Sequence, residues 1–134
     1  MSLKARSGTP NAYRRIEVYS NKPADQIVLV YEALLRHLKR AKLHIENGDL
    51  AAKADSFNRA NDVVLGLMSA LDLERGGQIA ERLNGLYLYF SNEIMHINRT
   101  LDIERLDKLI GMIEELYGAW KEAAQVAPAQ SAAT

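Results

Sequence analysis

The chain has 134 residues, 17 lysines and arginines against 17 aspartates and glutamates, and no cysteine. At 48% hydrophobic residues that length suits one domain with an ordinary core, and the missing thiols exclude a disulfide framework, cysteine chemistry and cysteine-ligated zinc. Zero net charge speaks against a nucleic-acid partner, and apolar runs of at most five residues speak against a signal peptide or membrane insertion.

Residues 1–22 form a basic N-terminal arm, with Lys4, Arg6, Arg14, Arg15 and Lys22 against Glu17 alone. A short helix fits Ala12–Val18, and Gly8, Pro10 and Pro23 set the arm apart from the rest of the chain. The other prolines are Pro10 and Pro128, so Ala24 to Ala127 is free of them. Glycines and capping residues divide that stretch. Asn47-Gly48-Asp49 reads as a helix C-cap followed at once by an aspartate N-cap. Glu74-Arg75-Gly76-Gly77 gives a second break, and Asn98–Asp102 a third with Asp102 as N-cap. Four helices are therefore expected near 23–46, 49–73, 77–98 and 102–125, with Pro23 in the first turn, where its missing N–H costs nothing. A tail over 126–134, rich in Ala, Gln, Ser and Pro, is expected to be disordered.

Each segment carries a helical period. The stripes run Ile27, Tyr31, Leu34, Leu38, Ala41, Ile45; then Leu50, Ala54, Phe57, Asn61, Val64, Met68, Leu71; then Ile79, Leu83, Leu86, Phe90, Ile94, Ile97; and finally Ile103, Leu106, Ile110, Ile113, Tyr117, Trp120. Short turns between helices of similar length imply an all-α, antiparallel, up-down-up-down four-helix bundle over 23–125. At 100° per residue some apolar residues fall off these stripes: Leu29 and Leu43 on the first helix, Val63 and Leu67 on the second, Leu88 and Met95 on the third. They read either as scattered surface residues or as shallow grooves for a partner's amphipathic helices. On the groove reading, Leu67→Asp or Leu88→Asp weakens partner binding and leaves the helices intact.

Chemical motifs are sparse. Glu93-Ile94-Met95-His96 is one Glu-x-x-His element, whereas a di-iron bundle needs two with two further glutamates, so no metal or other cofactor is expected. His37-Leu38-Lys39-Arg40-Ala41 resembles the His-x-x-(Lys/Arg)-small pattern of histidine phosphotransfer domains, which gives an alternative function through His37. Against it, Ala41 falls on the core stripe, where no receiver could approach. Arg36, Lys39, Arg40 and Lys42 crowd one part of the first helix, a solvated stripe in the ordinary case. No phosphate-binding glycine loop and no nucleophile–base pair is present, so an enzyme is not expected.

The ordered set of short motifs resembles the flagellar secretion chaperone FliS family. It comprises Tyr13-x-x-x-x-Val18, Gln26–Leu34 behind Pro23, Gly48-Asp49, Arg59-Ala60-Asn61 leading to Val63-Val64 and Leu67, Gly76–Ala80, Leu86–Tyr89 and Ala119–Ala123. Lys22-Pro23 and Ala33 depart from the family pattern at a helix cap and a close-packing position. The resemblance implies a cytoplasmic chaperone that holds the disordered C-terminal segment of flagellin in extended fashion around the bundle. It would prevent premature polymerisation and deliver subunits to the flagellar export apparatus by type III secretion. It also implies that the arm, through Tyr13 and Val18, covers part of the client site in the free protein. Deleting residues 1–20 should then change client affinity without unfolding the bundle. The exposed grooves could equally pair two copies into a homodimer.

Overall fold

The computed structural model describes residues 23–133, with side chains over 24–126. The arm at 1–22, with Tyr13 and Val18, lies outside the described residues. Four helices succeed one another: α1 (Pro23–Asn47), α2 (Leu50–Ser69), α3 (Leu73–Thr100) and α4 (Ile103–Ala133). Among the described residues there is no strand.

Three aspartates start three helices in the same way. Asp49, Asp72 and Asp102 each accept a hydrogen bond through the side chain from the backbone N–H three residues on, at 3.1, 3.0 and 3.1 Å. Each satisfies a donor that the first turn would otherwise leave unpaired. The α1–α2 turn is a Schellman motif: Asp49 N–H donates to His44 O at 2.9 Å and Gly48 N–H to Ile45 O at 3.1 Å. Gly48 there has φ +73°, a left-handed conformation that suits glycine.

The second and third turns differ from expectation. α2 stops at Ser69 and α3 starts at Leu73, so the break falls at residues 70–72 and α3 is already under way four residues before Gly77. The signal is Asp72, a better N-cap than any residue in Glu74–Gly77. Gly77 is instead a kink inside α3, with φ 57° and ψ −137°. The third turn comes after Thr100, where Leu101 takes the left-handed conformation (φ 60°) and its N–H donates to Ile97 O at 2.8 Å. The backbone of α4 continues to Ala133, past the boundary expected at 125.

The helices run antiparallel in a ring. Glu32, Lys39 and Lys42 of α1 meet Tyr117, Glu114 and Asp107 of α4 in reverse order. Lys53 and Asn61 of α2 meet Asn98 and Ser91 of α3 likewise. α1 packs closely on α2 and α4, and α2 on α3, whereas the α3–α4 seam is the loosest of the four. Inside lie Tyr31, Leu34, Leu38 and Ala41; Phe57, Ala60, Val64 and Leu67; Tyr87, Phe90, Ile94 and Ile97; and Leu106, Leu109, Ile110 and Ile113. The two buried hydroxyls of Tyr31 and Tyr87 satisfy each other at 2.9 Å, as buried polar groups must. Two stripe positions are exposed. Leu50 is exposed in the first turn of α2, and Ile79, two residues after the Gly77 kink, is 72% exposed.

Candidate docking surface

Helix geometry and burial sort the off-stripe residues into two groups. Leu29, Leu43, Leu88 and Met95 are at the surface, 63%, 52%, 50% and 51% exposed. Val63 and Leu67 are in the core, at 7% and 4%, which corrects their placement on an outer groove. The stripe expected for α2 is centred on Phe57 and Asn61, but the face that packs on α1 lies to one side of it. Ser56, Val63 and Leu67 form that buried flank, while Asn61 is half-buried at the opposite edge.

The helix projection does not single out Leu65, which is 47% exposed on the α3 side of α2. Ser91 Oγ donates to Asn61 Oδ1 at 2.6 Å, and Lys53 Nζ donates to Asn98 O and Oδ1 at 2.8 and 2.7 Å. These contacts fix the register of the α2–α3 pair. In that register Leu65 stands at the level of Leu88, and Met95 two turns further along the same face of α3. The result is an apolar strip along the outside of the α2–α3 pair. Lys53 contributes twice, since its ammonium also satisfies a carbonyl at the C-terminal end of α3, where a cation meets the negative pole of the helix. Leu29 and Leu43 stand apart from this strip, on the outer face of α1.

The loosest seam is bridged by charge. Arg105 of α4 donates through Nε and Nη2 to both carboxylate oxygens of Glu93 at 2.8 and 2.7 Å, and through Nη1 to His96 Nε2 at 2.8 Å. Both members of the Glu-x-x-His element are thereby engaged by one guanidinium, and among the described residues no group of three or more His, Asp or Glu side chains could hold a metal ion. The hydrogen-bonded Arg105 holds the Glu93 carboxyl below its ordinary range, although burial pushes the other way. Because the folded state favours the ionised form, the clamp stabilises the protein above the ordinary carboxylate range and is lost as pH falls through the lowered value. Glu93→Gln should cost about 1–3 kcal/mol near neutrality. In thermal melts its deficit relative to the parent should shrink steadily as the pH is lowered below about 4. A deficit of equal size at every pH would show that the clamp is not ionic.

His37 is half-buried, its Nδ1 has no hydrogen-bond partner, and Ala41 is fully buried. Burial, assisted by Arg36, Arg40 and Arg59, lowers the imidazole's affinity for a proton. A phosphoryl acceptor needs an exposed ring with a small residue beside it at the surface. This site has neither, which removes the support for phosphotransfer.

A ring of four antiparallel helices, closed inside and carrying leucine and methionine on its outer faces, defines an all-α bundle. No described helix is long and apolar enough to cross a membrane. Residues 6–127 match the family model described as "Flagellar protein FliS". The flagellar secretion chaperone FliS of Salmonella typhimurium is 31% identical over 106 residues, covering 78% of each chain. The Campylobacter jejuni protein of that name is 30% identical over 112 residues, covering 84% of this chain and 88% of its own. That of Vibrio cholerae is 29% identical over 119 residues, covering 86% and 88%. The chain belongs to the FliS family, whose named relatives are flagellar secretion chaperones.

Proposed function

We propose that this chain is a flagellar export chaperone that binds the disordered C-terminal segment of flagellin, prevents its premature polymerisation and presents it to the export apparatus. The supporting observation is the family match across residues 6–127, taken with the apolar strip of Leu65, Leu88 and Met95 on the α2–α3 pair. Leucine and methionine half-exposed on helix faces are the anchors that a helix-in-groove contact requires, and methionine adapts its shape to the partner. A client wrapped around the bundle would continue onto Leu29 and Leu43 of α1, and the arm with Tyr13 and Val18 would cover part of this path in the free protein. The activity is binding, with no catalytic step.

A C-terminal flagellin fragment mixed with the full chain should elute as a one-to-one complex. Its helical CD signal should exceed the sum of the parts, because the client folds as it binds. Titration calorimetry should give a negative heat-capacity change, since roughly 1,000–3,000 Å² is buried in coupled folding of this kind. Absence of a complex, or a complex with no gain in helix, would overturn the proposal. Removing residues 1–20 should tighten or weaken that affinity while leaving the melting profile of the bundle in place.

A further inference from the structure

The outer face of α1 differs chemically from the α2–α3 strip. Leu29, Arg36, Arg40 and Leu43 succeed one another at intervals of seven, four and three residues, which puts all four on one helix face. Leu29, Arg36, Arg40 and Leu43 are all exposed. Lys39 and Lys42 are tied to Glu114 and Asp107 of α4 at 3.0 and 2.8 Å, and Arg59 of α2 to Asp55 at 2.8 Å. Among the described residues Arg36 and Arg40 have no such partner. Beside them a surface groove of about 520 Å³ runs between α1 and α4, with Leu35, Leu43 and Tyr117 along it and Arg36, Lys39 and Arg40 at its rim. The one carboxylate there, Glu32, accepts a hydrogen bond from the Tyr117 hydroxyl at 2.7 Å. Residues 23–134 hold 12 basic and 16 acidic side chains, so this cationic rim is a local feature on an acidic body.

We propose that the α1 face, through Arg36 and Arg40 between Leu29 and Leu43, recognises an acidic amphipathic helix within the client. The proposal rests on the chaperone reading and adds the chemistry of one client segment. Two arginines one turn apart match two carboxylates one turn apart on a partner helix. The flanking leucines, 14 positions apart along α1, span about 21 Å and take apolar residues near either end of that helix. Nucleic acid fits less well, since the one aromatic in the groove, Tyr117, already has the Lys121 ammonium over its ring at 5.2 Å and no second ring lines the groove for base stacking. The face also has the opposite arrangement to the α2–α3 strip: charge selects and orients the segment here, whereas apolar area holds it there.

The test uses the full chain, its R36E/R40E variant and its R36K/R40K variant. Each is titrated with the flagellin C-terminal fragment and with a synthetic helix carrying two central glutamates and a leucine near each end. Both arginines are exposed, so both variants should melt as the parent does. R36E/R40E should bind the fragment and the synthetic helix about tenfold more weakly at low salt, with R36K/R40K close to the parent. The gap should close as salt screens the pairs, and a synthetic helix with lysines in place of the glutamates should recover affinity for R36E/R40E. If the fragment binds the parent and R36E/R40E equally at low salt, the α1 assignment fails while the chaperone reading stands. If the fragment binds neither, the chaperone reading itself fails, and the α1 assignment with it. If only the synthetic helix depends on the arginines, the face reads acidic helices but not the client's, and the assignment to the client is overturned.

Discussion

Leu67→Asp is expected to unfold the bundle, whereas Leu88→Asp, the same substitution on the neighbouring helix, is expected to leave it folded. The two leucines look alike in the sequence, each one heptad or less from other apolar residues that fall off the expected stripe. Burial separates them: Leu67 is 4% exposed within the core, Leu88 is 50% exposed. Removing a buried leucine side chain costs about 2–5 kcal/mol. The new carboxylate then either stays charged in apolar surroundings or takes up a proton, and each course adds about 2 kcal/mol or more. A domain of this size has roughly 5–15 kcal/mol in all, so the combined loss removes most or all of it. Far-UV CD of the two variants at neutral pH reads the difference directly. A fully helical, cooperatively melting L67D variant would mean that Leu67 faces outward after all. Because the carboxyl is more easily buried when protonated, any residual structure of this variant should increase as the pH is lowered toward 5.

The four-helix order is legible in the sequence because glycine and aspartate signal helix ends through purely local chemistry. Gly48 supplies a left-handed residue, while Asp49 and Asp102 cap within three residues of themselves. Asp72 works in the same way but is masked by Gly76-Gly77, the louder breaker, since a kink and a turn have the same glycine signature. Side-chain burial is less legible because a helix wheel fixes only relative directions. The absolute orientation of α2 depends on how close α1 and α3 approach, which is set by contacts such as Asn61–Ser91 and Lys53–Asn98 between residues 30 and 45 positions apart. An error of some 60° in that orientation exchanges Leu67 for Leu65. The Glu93–Arg105–His96 clamp is illegible for a similar reason. Glu93 and His96 on one helix suggest a metal, and nothing local shows that an arginine from the next helix already occupies their lone pairs.

The double substitution L88D/M95D should weaken binding of the flagellin fragment by about 100-fold or more. Leu88 and Met95 are seven residues apart on one face of α3, about 10 Å along the helix axis, so a single client helix would contact both. Each exposes about half its surface, and truncating a central apolar anchor in an interface costs about 2 kcal/mol or more. An aspartate adds to this by bringing a charge that must be desolvated against the client's apolar face. The two effects are expected to be less than additive, since both residues meet the same client helix. Two exposed sites on one helix leave the core unchanged, so the melting temperature of the free variant should lie within a few degrees of the parent. The loss should persist at high salt, because apolar area, unlike the arginine contacts of α1, is not screened. Adding L65D should deepen the loss if Leu65 and Leu88 form one strip, as the Asn61–Ser91 register requires. If L88D/M95D binds the fragment as tightly as the parent does, the client lies elsewhere on the bundle, and the α2–α3 strip is ordinary surface.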